Sequence, residues 1–556
     1  MAICSQTAGS DAATKLTVLM LWLLLAAFVV YPLARLLLMA FTADGSFTLA
    51  NLRPFIDSWY DRQAAVNSIL LGCSVGLAGT VLGFIFAYAV TRLSMPKWLK
   101  MAVSAVTLLP LISPPFTSSI ALTLSLGPNG ILLELLGLGN FNFYGFWGTF
   151  ISETLTFFPV AFMTLSTILA RIDPNLEDAA YSLGASSFKV FRSVTLPLAA
   201  PGIANAFLLV FFCSLADFAT PQVLGGHSFP VLPTQAYLQI TGMYDFKGGS
   251  ALSFMLLIPA IAVYVLQRYW VGKKSYVTVS GKAGGRSSVK GPGLMLTSGI
   301  VGVVAFVSVF IMYLYAIILS ASMVKIWGIN NTLTLEHYEY VFTYGMKAIK
   351  DTLLIACIGT PLGGLLAVLV GYATTRLKVR GSRTLETVSL LNYTLPGTVV
   401  GIAYIIAFND KPIVLTGTLY ILVAAYVFRY SSAGIRNVIA ALTQIDPSIE
   451  EASRSLGASS VKTFTSVTVP LVLPAILAGM RYLFIHSMTA ISATIFLVSV
   501  HWTLITTRIL ECMTELQFAQ ACAFSIVLIG LVFIASGVMN LIARALCRNG
   551  DAIGVH

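Results

Sequence analysis

Long apolar runs separated by short polar segments occupy most of this chain. A run of about 20 apolar residues can cross the hydrocarbon core of a bilayer as an α-helix. Twelve such runs lie near residues 17–41, 65–91, 102–126, 146–170, 202–219, 251–270, 296–322, 352–375, 386–408, 414–438, 475–498 and 520–543. The pattern predicts an all-α polytopic membrane protein with about twelve transmembrane helices.

Composition supports this prediction. Hydrophobic residues make up 57% of the 556 residues, charged residues make up 10%, and the mean hydropathy is +0.87. Soluble globular domains carry about 25% charged residues. The chain is therefore expected to be an integral membrane protein.

The basic residues are distributed unevenly between the polar segments. The formal net charge is +11. If the N-terminus lies inside, most Lys and Arg residues fall in inner segments, including Arg92, Lys97, Lys100, Arg268, Lys273, Lys274, Arg376, Lys378, Arg380, Arg383, Arg544 and Arg548. This asymmetry is typical of the positive-inside rule rather than of nucleic-acid binding. It predicts that both chain termini are cytoplasmic.

One polar stretch occurs twice. Residues 171–201 and 444–474, which are 273 positions apart, share 19 identities in 31 positions without a gap. Residues 67–93 and 351–377 form a second matching pair, at an offset of 284. Because each half has an even number of predicted spans, the halves are expected to be parallel repeats.

These matches divide the chain into two repeats and a connector. The predicted first repeat is 1–271 and the second is 294–556. Between them, residues 272–293 are rich in Gly, Ser and basic residues, which is typical of a flexible linker. The duplicated polar stretches, 171–201 and 444–474, are expected to be cytoplasmic loops.

Both loops carry the signals of short, well-capped helices. Asp173-Pro174 and Asp446-Pro447 fit an N-cap followed by proline at the first helical position. The acidic residues of the next turn favour the positive end of a helix dipole. They are Glu177 and Asp178 in one loop, Glu450 and Glu451 in the other. Gly184 and Gly457 are expected to end these helices, and the serines that follow are expected to cap a second short helix.

The loops resemble the "EAA" signature of permease subunits of binding-protein-dependent ABC importers. That signature is Glu-Ala-Ala, three residues, Gly, nine residues, then Ile-x-Leu-Pro. The matching residues are Asp178, Ala179, Ala180, Gly184 and 194–197 in one loop, and Glu451, Ala452, Ser453, Gly457 and 467–470 in the other. The departures are Asp178 for Glu, Ser453 for Ala, Val194 and Val467 for Ile, and Val469 for Leu.

The resemblance implies a fused permease with the type I ABC importer fold. In that family the loop is a coupling helix that docks on an ATP-binding subunit. The implied coupling residues are Glu177, Asp178, Ala179, Gly184, Glu450, Glu451, Ala452 and Gly457. The implied partners are two copies of a cytoplasmic ATP-binding subunit and one extracytoplasmic substrate-binding protein, at a bacterial inner membrane.

The chain lacks the sequence signature of an ATPase. No G-x-x-x-x-G-K-[ST] phosphate loop is present, so ATP and Mg²⁺ are expected to bind to the partner subunits. The seven cysteines and five histidines show neither metal-ligand spacing nor a catalytic constellation. We therefore expect a transport subunit that is not itself an enzyme and contains no cofactor or metal.

The cargo is less well defined by the sequence. Ionisable residues within spans are functional candidates, which gives Asp217, Arg481 and His486 as a possible translocation path. Snorkelling or an interfacial position would also explain Arg481 and Asp217. Residues 216–226 and 489–497 resemble the ferric-iron branch of the family. Permeases for aminoethylphosphonate, sugar phosphates and thiamine remain alternatives.

Two other classes of function also remain open. A secondary transporter driven by an ion gradient can have two parallel six-span halves. A membrane scaffold or sensor could relay binding-protein occupancy to an ATPase without moving solute. The doubled loop favours the importer over both.

Overall fold

The chain folds almost entirely into helices. A computed structural model describes residues 12–43, 45–127, 130–135, 137, 142–271, 293–377 and 381–551. The predicted linker, residues 272–293, lies outside the described residues except for Gly293. The all-α prediction is confirmed.

The helices of the first half are α1 (Lys15–Phe41), α2 (Trp59–Arg92), α3 (Lys97–Ile112), α4 (Thr117–Leu126), α5 (Phe146–Arg171), α6 (Pro174–Ser182), α7 (Ser187–Leu215), α8 (Leu232–Tyr237) and α9 (Phe246–Tyr269), with single turns at Arg53–Asp57 and Ile131–Leu135. Those of the second half are α10 (Leu294–Ala321), α11 (Glu336–Thr343), α12 (Met346–Thr375), α13 (Ser382–Leu391), α14 (Gly397–Phe408), α15 (Leu419–Gln444), α16 (Ser448–Ser455), α17 (Ser460–Thr489), α18 (Ile505–Thr514) and α19 (Phe518–Asp551), with a single turn at Thr494–Leu497.

A small antiparallel hairpin follows the first span of each half. Strands β1 (Thr42–Ala43) and β2 (Ser46–Phe47) pair Thr42 with Phe47, and β3 (Val324–Ile326) and β4 (Asn330–Leu333) pair Val324 with Leu333. The repeated plan therefore includes the irregular segment beside the first span as well as the helices.

All twelve predicted spans correspond to helices, but not every one is a single helix that is long and apolar enough to cross a membrane. Nine helices in the described ranges are long and apolar enough to cross a membrane, or ten if α3 and α4 count as one broken span. Helices α3 and α4 meet at a bend of 98°, next to Pro114 and Pro115, because proline disfavours helix at the residue before it. The second half has the same break before Pro396, which leaves α14 only 12 residues long.

The remaining predicted span corresponds to α15. This helix is 26 residues long, but it is not among the helices apolar enough to qualify as a span. It contains Arg429 and Arg436, and it packs between α12 and α17. Much of its surface is therefore covered by protein, which reduces the need for uniformly apolar residues, although Arg436 is exposed.

Three helices form the centre of each half: α2, α5 and α7 in the first, α12, α15 and α17 in the second. Small residues allow such helices to approach closely within a membrane. A Cβ atom added to Gly479 of α17 would lie 2.4 Å from the Cα of Gly434 in α15. In the first half, a Cβ on Gly83 would lie 2.6 Å from the Cβ of Ala161.

The first span of each half packs against the opposite half. In α1, the carbonyl of Phe28 accepts a hydrogen bond of 2.7 Å from the Tyr404 hydroxyl, and the Phe28 ring stacks on Phe428 at 5.0 Å. In α10, the hydroxyls of Tyr315 and Ser113 lie 2.7 Å apart. The two halves are thus interlocked rather than placed side by side.

Filling the closest helix contact is expected to destabilise the protein. Gly479→Val should lower the stability by about 1–3 kcal/mol, because a well-packed interface must shift to accept the side chain. The measurement is the midpoint of thermal unfolding in detergent. Gly302→Val is the matched control, because no atom lies within 4 Å of a Cβ at Gly302. Equal losses in both variants would contradict the close-contact interpretation.

Candidate functional site

The first polar loop starts with the predicted cap, whereas in the second loop Pro447 rather than Asp446 is the N-cap residue. The Asp173 carboxylate accepts the N–H of Asn175 at 3.0 Å, and Pro174 is the first residue of α6. In the second loop, Asp446 accepts the N–H of Ser448 at 2.9 Å, and this bond holds the pKa of Asp446 below its usual value. Helix α16 begins one residue later in the repeat than α6 does.

The predicted glycine stops are confirmed. Gly184 and Gly457 have φ values of +83° and +86°, a left-handed conformation that residues with a side chain rarely adopt. The next N–H in each loop reaches back to the helix. Ala185 donates to the carbonyl of Ala180 at 3.1 Å, and Ala458 donates to that of Ser453 at 3.2 Å. Each loop helix therefore ends in the same closed turn.

A second helix starts immediately after each turn. Ser186 accepts the N–H of Lys189 at 3.4 Å, and Ser459 accepts that of Lys462 at 3.3 Å. The predicted second helix is present, but it is continuous with the following span. A π-helical turn joins the two parts, at Phe191–Thr195 in α7 and Phe464–Thr468 in α17.

A buried ion pair lies beneath the first loop. The Arg92 guanidinium, in the last turn of α2, lies 3.3 Å from the Glu177 carboxylate of α6, and the side chains are only 6% and 4% exposed. Thr195 at the π-helical turn donates its hydroxyl to the same carboxylate oxygen at 2.8 Å. One carboxylate therefore links the loop helix to both α2 and α7.

The second loop repeats this arrangement. Arg376, directly after α12, lies 3.0 Å from Glu450, and Thr468 donates to the same oxygen at 3.1 Å. Arg376 also donates to the carbonyl of Ile445 at 2.8 Å, just as Arg92 donates to that of Ile172 at 3.4 Å. We call each Arg–Glu–Thr group an anchor.

The anchors separate the predicted coupling residues into two sets. Glu177 and Glu450 are buried in the anchors and face the protein. The others are half-buried or exposed: Asp178, Ala179, Gly184, Glu451, Ala452 and Gly457. Sequence reasoning did not identify Arg92, Arg376, Thr195 and Thr468 as parts of the site. The available signal was their repetition. Arg92 and Arg376 occupy matching positions in one pair of repeated blocks, and Thr195 and Thr468 do so in the other.

Large apolar side chains project from the outer surface of both loops. Leu183 is 89% exposed and Leu456, its counterpart 273 positions later, is 90% exposed. The flanking pairs Leu176 and Ile449, and Phe188 and Val461, are also exposed. We call these six residues the apolar loop surfaces. Repeated exposed apolar groups on a rigid support are typical of a protein-binding surface.

The family described as "Binding-protein-dependent transport system inner membrane component" matches residues 79–275 and 359–548. Each matched region contains one anchored loop, two of the three central helices of one half and the C-terminal part of the third. Together the two regions cover more than half of the chain. The chain belongs to this family.

Relatives in this transport family align along both halves. The ferric transport system permease protein FbpB of Actinobacillus pleuropneumoniae is 37% identical over 91% of this chain and 75% of its own length. The FbpB 1 permease protein of Haemophilus influenzae is 38% identical over 86% of this chain and 77% of its own length. The PotC spermidine/putrescine permease of H. influenzae is 26% identical over only 39% of this chain but 83% of its own length, and the 228 aligned residues are similar in number to one repeat.

This inner membrane component is thus a fused, two-repeat permease. The three residues suggested for its translocation path have different surroundings. Asp217 is buried after α7 and accepts the N–H groups of Ala219 and Thr220 at 3.0 and 3.4 Å. Arg481 is exposed and donates to Asn540 of α19 at 2.6 Å. His486 lies between aromatic rings in the second half.

The structure adds Glu153 to these residues. Glu153 is fully buried in α5, accepts a hydrogen bond from the Ser214 hydroxyl, and lies within electrostatic range of Asp217. It is the only charged residue in the predicted span 146–170, which was a sufficient signal to identify it. Among the described residues, no three His, Cys, Asp or Glu side chains are grouped as a metal site.

The anchors are expected to behave as coupled pairs in stability measurements. Either Arg376→Leu or Glu450→Leu should cost about 3–5 kcal/mol, because each leaves an unpaired buried charge. The double variant should be much more stable than the sum of the two losses implies. The measurement is a double-mutant cycle by denaturant titration in detergent micelles.

The exposed pair Lys325–Glu336, at 4.0 Å, is the matched control for this cycle. Its coupling is expected to be about 0–1 kcal/mol, because water screens exposed ion pairs. Additive losses at Arg376 and Glu450 would show that the buried contact does not join the loop to α12.

Proposed function

We propose that this chain is the transmembrane permease of an ATP-driven importer that passes ferric iron into the cytoplasm. The observation that carries the proposal is the matched pair of anchored loops, each with an exposed leucine at the same position. Support for iron comes from the FbpB permease of A. pleuropneumoniae, which is named for ferric transport and aligns with 91% of the chain.

Two copies of one cytoplasmic ATP-binding subunit would occupy the two loops. The apolar loop surfaces use the same positions in each half, so one type of partner fits both. ATP and Mg²⁺ would bind to those partners, since the sequence contains no phosphate loop. One extracytoplasmic binding protein would deliver the cargo, and both termini of the permease would lie in the cytoplasm.

The anchors provide a route for transmitting force. When the two ATP-binding subunits close, each loop moves with the partner it contacts. Glu177 and Glu450 transfer that displacement to α2 and α12 through the arginines, and to α7 and α17 through the threonines. Rigid movement of these helices would alternate access between the two sides of the membrane.

Charging the apolar loop surfaces is expected to abolish partner binding without unfolding the permease. Leu183→Glu or Leu456→Glu should weaken ATP-binding-subunit association about tenfold or more, because the apolar contact is replaced by a charge that must be desolvated. Co-purification and ATPase assays measure this effect. If the loops are equivalent, the two variants will be impaired to similar degrees.

Leu333→Glu is the control for these variants, because Leu333 is equally exposed on the hairpin after α10. It should leave association unchanged. Normal association of both loop variants would contradict docking at these surfaces.

Reconstitution into vesicles with the ATP-binding subunit and the binding protein tests the whole proposal. The binding protein loaded with ferric iron should stimulate ATP hydrolysis and ⁵⁵Fe uptake, and phosphonate or sugar-phosphate loading should not. Uptake that persists without the ATP-binding subunit would identify a secondary transporter. Hydrolysis without uptake would identify a scaffold or sensor.

A further inference from the structure

A group of aromatic and basic side chains lies within the second half, between α15, α17 and the break before α14. His486 of α17 packs between two tyrosine rings, with centroids 4.1 Å from Tyr482 and 5.5 Å from Tyr430. The Arg429 guanidinium of α15 lies 5.7 Å from the Tyr430 ring. These four residues thus bring two phenol groups, an imidazole and a guanidinium together.

Two more residues extend the group. Tyr482 lies against Tyr393, which occupies the break between α13 and α14. The Arg436 guanidinium lies 4.7 Å from the centre of the Tyr393 ring. We call Tyr393, Arg429, Tyr430, Arg436, Tyr482 and His486 the basic aromatic cluster.

The first half lacks this chemistry at the matching positions. With the offset of 273, Arg429 and Arg436 correspond to Thr156 and Met163. Likewise, Tyr430, Tyr482 and His486 correspond to Phe157, Leu209 and Cys213. The first half builds the same helix packing without these polar groups. Packing alone therefore does not explain the basic aromatic cluster.

The cationic groups are not neutralised by acidic side chains. No carboxylate forms an ion pair with Arg429 or Arg436 in the described part of the chain. Arg429 uses one nitrogen to hold the carbonyls of Asn392 and Leu395, each at 3.0 Å. Arg436 is exposed, and within a span an exposed cation is tolerated only beside a water-filled cavity or near the interface.

We propose that the basic aromatic cluster binds an oxyanion, a carboxylate or phosphate group, that accompanies the metal ion through the second half. Arginine recognises such oxygens through charge-assisted hydrogen bonds, and the phenol and imidazole groups add further donors. A bare ferric ion would instead be repelled by both guanidinium groups. This inference rests on the proposed function and specifies its cargo as an anion-bearing complex.

Binding of labelled oxyanions tests the proposal. Purified complex in nanodiscs is dialysed against [³²P]phosphate or [¹⁴C]citrate, and the two labels distinguish a phosphate from a carboxylate source. Wild-type complex should bind one of them saturably. Arg436→Gln should weaken binding about tenfold through loss of a charge-assisted contact, and Arg436→Lys should retain most of it.

Met163→Gln is the matched control, because it puts the same side chain at the equivalent position of the first half. It should leave binding unchanged. Absence of saturable binding to the wild type, or equal binding by Arg436→Gln, overturns the proposal. The oxyanion-binding assay contains no iron and is therefore independent of the ⁵⁵Fe uptake assay. Intact oxyanion binding together with failed ⁵⁵Fe uptake would count against the iron cargo and not against the basic aromatic cluster.

Discussion

The buried arginine–glutamate contact beneath each loop is the constraint on which the geometry of the loop depends. Removing two charges from water is costly, and their attraction offsets that cost only when the geometry is good and the remaining hydrogen bonds are made. Thr195 and Thr468 supply those bonds at the same carboxylate oxygens that face Arg92 and Arg376. A capped helix that could otherwise swing on its connections is thereby held against two spans.

Other features of the loops follow from this contact. The anchored carboxylate faces inward, so the opposite surface carries the exposed leucines. The glycine turn then redirects the chain without placing a side chain in the outer surface. A Cβ at Gly184 or Gly457 would have no atom within 4 Å, so the glycines are required by their positive φ and not by crowding. The π-helical turn brings a threonine to the carboxylate before the span continues.

The duplicated framework is symmetric at the two loops and asymmetric among the ionisable residues of the spans. The anchors and glycine turns match between halves. In contrast, Glu153 and Asp217 lie in the first half, and Arg429 and His486 lie in the second. The proposed cargo lacks the two-fold symmetry of the two proposed ATP-binding subunits, so a site that contacts it has no reason to repeat. Fusion of the repeats into one chain allows the halves to differ in this way.

Local signals were enough to predict the helical class, the two parallel repeats and the capped loop helices, because these features depend on local hydrophobicity, proline, glycine and short-range capping. These signals did not reveal that two predicted spans break at Pro114 and Pro396, because apolar content continues across the breaks. Which acid of each loop is buried depends instead on contacts between distant parts of the chain. Glu177 and Asp178 are adjacent in sequence and point in different directions on a helix, and the arginine that selects Glu177 lies far away in the chain, at the end of another span.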